Sequence, residues 1–317
     1  MRGGQHTTIR ELLLGDNPFI GVSHLGQAKA REEKEKSSLQ NRVEVIESAI
    51  GGGATGFTFT THEANLELLT HLSDHRRDLL DALNYYILAP YMQLYVRKAN
   101  IEGTPAFIMS KMIDMLHKPL AILDVLTSLI LLKPGRVVGP LFEIELAPFL
   151  EILPKERIKA VFLHEVLTEL VTAFHLKDLL TFLINHVRDR VGVGFGLETR
   201  NLGHLHRWMS MADCYPEYLM MPLNPLGYQM APSKEATERS IRELSEKTKI
   251  VAINVLASGA VNLEEAMNYL AEYEENLYAV TAASVNPHRT HQNFSKLSQM
   301  LSSDRASQHV LRSDGKP

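Results

Sequence analysis

The stretch that decides the fold is EYLMMPLNPLGYQMAPSKEATERSIRELSEKTKIVAINVL, residues 217–256. It opens with an apolar run, Glu217–Leu223, and turns at a corner of Asn, Pro and Gly. A helix follows, capped by Ser233 with Glu235 close behind. A second apolar and β-branched run, Ile250–Leu256, then begins. Strand, corner, amphipathic helix and strand again is the pattern of a parallel sheet. Parallel neighbours need a crossover, and strands covered on both faces read as continuous apolar runs.

The same unit recurs in both directions. Strand-like runs occupy Pro18–His24, Gly56–Thr61, Tyr85–Tyr91, Ile158–His164, Val191–Leu197, Glu217–Leu223, Ile250–Leu256 and Leu277–Ala283. The last five begin 33, 26, 33 and 27 residues apart, about one strand and one helix each. Asn262 caps another helix with acids in its first turn. Eight such units predict an α/β fold, a (β/α)8 TIM barrel with residues 1–317 as one domain. An open, doubly wound sheet is the alternative, since strand order is not written in a sequence. One interval breaks the rhythm: the 66 residues 92–157 separate the third strand from the fourth. Their helical patterns (106–116, 119–132, 142–153) predict a helical insertion that either covers one rim or thickens the outer layer. Residues 302–317 read as a polar tail.

Composition narrows the function. Hydrophobic residues make up 45% of the chain, charged residues 22%, and the net charge is −4, which gives no electrostatic case for nucleic acid or an acidic membrane. Cys214 is the single cysteine, so an intramolecular disulfide and a cysteine-based zinc site are excluded, and a reducing, cytoplasmic setting is expected. The N-terminal MRGGQHTTIRELLLGDN lacks the apolar core of a signal peptide. The most apolar run, Leu120–Leu132, is broken by Asp124, Thr127 and Ser128, is too short to span a membrane, and reads as a buried helix. A small-molecule substrate is the expected partner.

Barrels of this kind place their chemistry where the strands end at their C-terminal rim. The polar residues there are His24, His62, Glu63, His164, Glu165, Glu198, Asn224, Ser258 and Ser284. Asp16 and Asn17 precede the first run and fall to the opposite rim on this reading. Imidazoles and carboxylates converging on one rim do acid–base work or hold a divalent metal. No HExxH pattern supports a metal, no lysine closes a strand to form a Schiff base, and there is neither a GxSxG elbow nor a Walker loop. Gly51–Gly53 read as a helix end, and the glycines of GVGFG, 192–196, as packing residues inside a strand.

The last unit carries the most specific pattern. SVNPHRTHQNF, Ser284–Phe294, resembles the cofactor segment of the aldo-keto reductases, S-V-x-P-x-R-x-x-x-N-F, and it follows the eighth strand as it does there. A helix N-terminus, a hydroxyl and a guanidinium make an anion seat. The resemblance implies NADP or NAD as cofactor, with Ser284 and Arg289 on the 2′-phosphate and Asn293 on adenine. Ala283 stands where the family has a lysine. The segments LHEV (163–166), LNPLG (223–227) and NVLASGAV (254–261) are similar to the family's fourth, sixth and seventh strand ends. They imply a catalytic role for His164 and place Ser258 near the cofactor pyrophosphate. The family's remaining catalytic residues are absent: Thr60 replaces its aspartate, Asn65 falls near its tyrosine, and the third strand ends AlaProTyr without a lysine.

Three functions follow. The first is an NAD(P)-linked oxidoreductase acting on a small carbonyl or alcohol, with His164 polarising the carbonyl and His62 with Glu63 as the proton-donor pair. The second is a barrel lyase, isomerase or hydrolase that uses the rim His/Glu set, with a divalent metal and a phosphate-bearing substrate. The third is a barrel that has lost catalysis and binds a ligand or protein.

Overall fold

The structure, a computed structural model, describes residues 9–21, 35–91 and 135–299. Eight parallel strands close into a barrel in sequence order. They are β1 (Glu11–Gly15), β2 (Gly56–Thr60), β3 (Asn84–Ala89), β4 (Ile158–Leu163), β5 (Gly194–Glu198), β6 (Tyr218–Pro222), β7 (Lys249–Ile253) and β8 (Ala279–Ala282). The seam is made by β1 against β8, from Glu11 beside Ala279 to Leu14 beside Ala282. Closure removes the open doubly wound sheet.

Seven strands coincide with the runs read from the sequence to within a few residues. The first does not. The strand is ELLLG, Glu11–Gly15, and Pro18–Ile20 form a turn in which the Phe19 N–H donates to the Asp16 carbonyl at 2.7 Å. Pro18 has no N–H to give a ladder, and its neighbours Phe19 and Ile20 bury themselves in the turn without extending. Asp16 and Asn17 therefore close β1 and stand on the C-terminal rim, not the opposite one. His24 lies outside the described residues.

Helices Leu39–Gly51, Glu63–His75, Gly135–Ile152, Glu165–Ala173, Leu202–Ala212, Lys234–Leu244 and Leu263–Ala271, with one at 287–299, lie between or after the strands. Their starts are capped as the sequence leads one to expect: Ser233 accepts from the Ala236 N–H at 3.2 Å and Asn262 from the Glu265 N–H at 2.9 Å. Gly52 terminates the first helix and Gly53 turns out of it at φ 103°. In the β3–β4 interval the pattern at 142–153 falls in the helix Gly135–Ile152, and Glu145 on that helix accepts the Thr61 hydroxyl at 2.7 Å, tying it to the end of β2. The patterns at 106–116 and 119–132 and the tail at 302–317 lie outside the described residues.

Strand faces turned to the helices build the main core, and a second cluster including Leu13, Tyr86, Phe162, Tyr218 and Met220 fills the barrel. The glycines of β5 make room for it. A Cβ at Gly196 would stand 2.4 Å from two ring carbons of Phe162. Gly196→Ala is therefore expected to cost ~1–3 kcal/mol by overpacking, read as a lower urea midpoint, and Phe162→Leu in the same chain should recover part of it.

Candidate active site

A cavity of about 740 Å³ opens at the C-terminal mouth of the barrel. One side is lined by residues that close β1, β4 and β5, the other by the loops after β7 and β8.

Asp16 is buried at the end of β1. Its Oδ2 accepts the Thr60 N–H at 2.9 Å, the Thr60 hydroxyl at 2.8 Å and the Asn65 side-chain amide at 2.7 Å. Burial still pushes its pKa above the ordinary aspartate value, against the pull of those three donors. The two positions where the resemblance has an aspartate and a tyrosine thus share one carboxylate supplied by the neighbouring strand.

Glu198 closes β5 and is buried too. Desolvation, helped by the negative charge of Glu165, pushes its pKa up to about 7; Arg200 and a backbone hydrogen bond oppose the shift. The hydrogen bond is the Glu165 N–H to Oε2 at 3.1 Å. Arg200 pairs with Glu165, lies 3.7 Å from Glu198 and also holds Gln229. Gln229 accepts from the Asn254 side chain at 3.0 Å, and Asn254 Oδ1 accepts the Ser258 N–H at 2.9 Å. An ion pair from Glu198 to Arg200 and a run of hydrogen bonds beyond it therefore connect the acid at β5 to the loop after β7. Ser258 and Gly259 in that loop have φ of 59° and 94°, which turns the backbone sharply along the cavity wall.

His164 is buried at the end of β4 and lines the cavity. Its Nδ1 accepts the Val166 N–H at 3.3 Å, capping the helix Glu165–Ala173. A ring nitrogen that accepts carries no proton, so the hydrogen sits on Nε2. Burial lowers the pKa of this imidazole, Arg200 adds to the effect and Glu165 opposes it. His164 is a neutral Nε2–H donor at neutral pH.

His62 caps its own helix in the same way, its Nδ1 accepting the Ala64 N–H at 3.0 Å, and its ring meets Tyr91 edge-on. Neither His62 nor the exposed Glu63 is among the residues lining the cavity. The cap turns the His62 ring to its own helix, and Glu63 already belongs to that helix's solvent face, so the pair does not stand with His164.

Ser258, Ser284, Arg289 and Asn293 all line the cavity. The final helix is capped by Asn286, which accepts the Arg289 N–H at 2.9 Å, whereas Ser284 Oγ accepts the Asn286 N–H at 3.1 Å. The capping role thus belongs to Asn286, and Ser284 stands two residues before it, outside the helix. The exposed Arg289 guanidinium has no ion pair among the described residues. Among the described residues no three His, Cys, Asp or Glu side chains are placed to hold a metal, and no helix is long and apolar enough to cross a membrane.

The sequence reading passed over Asp16 as a rim residue and missed Arg200 and Asn254. Asp16 follows the triple leucine of β1 after one glycine, Gly15, and that proximity was the available signal. Arg200 lies beyond its strand and has none.

No family model matches the sequence, and no curated protein does. In fold the chain is similar to a Pseudomonas aeruginosa protein described as an aldo-keto reductase, at 13% identity, with 92% of each chain covered and a TM-score of 0.54. A second structure of that description from the same organism shares 11% identity over 92% of this chain and 91% of its own, with a TM-score of 0.51. The chain has a divergent aldo-keto-reductase-like (β/α)8 barrel.

Proposed function

We propose that the chain is an NAD(P)-linked oxidoreductase of small carbonyl or alcohol substrates. The observation that carries this reading is that Ser258, Ser284, Arg289 and Asn293 line the same cavity as His164 and Glu198. The first group suits a dinucleotide: a guanidinium with no ion pair among the described residues, a hydroxyl two residues before a helix cap and an amide side chain are the donors a phosphate and an adenine need. A bound nicotinamide would supply or accept the hydride.

The protein's own residues handle the oxygen and the proton. His164 Nε2–H polarises the substrate carbonyl, and being neutral it does so without giving up its proton. Glu198, protonated below about pH 7, is the proton donor in place of His62 and Glu63, and its ionised form takes the proton back when the reaction runs toward the carbonyl. Arg200 and the Glu165 N–H hold that carboxyl in place and stabilise its ionised form.

Calorimetric titration with NADPH and NADH tests the cofactor. Both should bind, and Arg289→Ala should weaken NADPH about tenfold, ~1.4 kcal/mol, while NADH changes little. No binding of either at millimolar concentration would falsify the proposal. It would favour the second reading, a phosphate-bearing substrate seated at Ser284 and Arg289 and worked on by the same His164 and Glu198. The divalent metal of that reading has no donor set among the described residues.

A further inference from the structure

The loops after β6 and β7 are fastened to each other by amide side chains. Asn224, which follows β6, is buried. Its amide donates to the Tyr228 carbonyl at 2.9 Å and to the Asn254 carbonyl at 3.3 Å, and its oxygen accepts the Tyr228 N–H at 2.9 Å. The next residue, Gln229, has φ 62° and Asn254 has φ 52°. Residues other than glycine seldom enter that left-handed region, and they stay there where the surroundings over-determine them. A side-chain bond completes the fastening: the Asn254 amide donates to Gln229 Oε1 at 3.0 Å.

The same Gln229 oxygen accepts from Arg200 Nη1. The Arg200 carbonyl accepts the Ala231 N–H at 2.9 Å, so the loop after β6 holds both the backbone and the guanidinium of this residue. Arg200 Nε pairs with Glu165, and Nη2 stops 3.7 Å from Glu198 Oε1. A charged N–H bonded to a carboxylate sits at about 2.7–2.9 Å, so Arg200 acts on Glu198 by charge without closing on it. Asp16 from β1, with His164 and Glu165 from the end of β4, shares the cavity with Glu198; Lys36 and Arg289 also line it, and β6 and β7 contribute the uncharged Met220, Ile253 and Asn254. Burial and Glu165 hold the Glu198 carboxyl up and Arg200 pulls it down. The distance at which Arg200 is held therefore decides how readily Glu198 ionises.

We propose that Gln229 is a positioning residue for Glu198: it ties the Arg200 guanidinium to the loop after β6 and so keeps that cation from closing on the carboxyl. Gln229 is not among the residues lining the cavity, so it acts through Arg200 and not on a ligand. The consequence is an acid that still carries its proton near neutral pH beside an arginine. As a statement about catalysis the inference rests on the reading of Glu198 as proton donor; as a statement about the ionisation of Glu198 it does not.

The test uses the full chain and follows the difference in melting temperature between each chain and its Glu198→Gln counterpart as pH is raised. In the wild type that difference should change up to about pH 7, where Glu198 has ionised, and level off above it. Gln229→Gly removes the side chain and suits the left-handed backbone; with Arg200 released onto Glu198, the levelling should come at least about one pH unit lower. Gln229→Asn, one carbon too short to reach both partners, should move it the same way and stands in if the glycine variant does not fold. Gln229→Glu keeps an acceptor for Arg200, so its levelling should come no lower than in the wild type. A levelling pH that neither Gly nor Asn moves, or that Glu lowers as much as Gly, overturns the positioning role. Reduction of glyceraldehyde with NADPH separates this from the catalytic reading. A levelling pH that moves while the alkaline limb of kcat/KM stays in place would retain the positioning role and remove Glu198 as the donor. A limb near pH 7 with a levelling pH that no Gln229 variant moves would do the reverse.

Discussion

Glu198→Gln is expected to lower kcat for carbonyl reduction by about 10²–10⁴-fold, the usual worth of a positioned acid, with KM nearly unchanged. Glutamine keeps the size of the side chain and an oxygen for the Glu165 N–H, but has no proton to give. The pH profile separates this from a packing defect. In the wild type, kcat/KM for reduction should fall as pH rises through about 7, where Glu198 ionises, and the residual rate of the variant should lack that limb. The substitution should move stability opposite to activity. A carboxyl whose pKa is raised on folding contributes stability fully below its unfolded value, and that contribution is lost as pH rises through the folded value. With each pKa unit worth about 1.4 kcal/mol, the ionised Glu198 costs on the order of 3 kcal/mol. Glu198→Gln should therefore melt higher than the wild type at pH 8 and show no such gain at pH 4. A variant that loses activity and also melts lower at pH 8 would show a structural glutamate, not an acid.

Asp16→Ala is expected to have the largest effect on stability of the substitutions considered, a loss of roughly 3 kcal/mol or more. It removes the shared acceptor of the Thr60 N–H, the Thr60 hydroxyl and the Asn65 amide. Asn65 keeps its bond to the Thr60 carbonyl at 2.9 Å, but the Thr60 N–H and hydroxyl lose their acceptor. At roughly 2 °C per kcal/mol for a chain of this size, the melting temperature should fall by about 6 °C or more. Asp16→Asn keeps an acceptor oxygen and abolishes the buried charge, so its loss should be much smaller. Equal losses for Ala and Asn would mean that charge, not acceptance, is what Asp16 contributes.

Much of the architecture was legible because a buried parallel strand announces itself through an apolar run and a capped helix through its Ser or Asn. Strands β2 to β8 and the caps Ser233 and Asn262 were read in this way. β1 was misplaced because ELLLG is short and the bulkier Phe19, Ile20 and Val22 follow it; the turn around Pro18 comes from a hydrogen bond to the Asp16 carbonyl, which no local pattern shows. That one displacement moved Asp16 to the wrong rim. Residues adjoining the strand ends, such as His164, Glu198 and Ser284, were open to inspection as rim candidates. Their electrostatics were not: the raised pKa of Glu198 comes from burial and the charge of Glu165, against the opposing pull of Arg200, and none of these is visible in the local sequence. His62 and His164 look alike in sequence, each closing a strand and capping a helix, yet only His164 lines the cavity.

The seam between β1 and β8 has a consequence for how the protein comes to be competent. Asp16 leaves the first strand and Ser284 follows the last, and the ladder that brings their ends together joins Glu11 to Ala279 and Leu14 to Ala282. Pairing over so long a span is costly in loop entropy and late to form. A partly assembled chain holds neither the carboxylate clamp nor the anion seat proposed opposite it. A ligand that spans the mouth consequently recognises only chains that have completed closure, and by mass action it draws the folding equilibrium toward them. Binding at this site is therefore also a measure of finished folding.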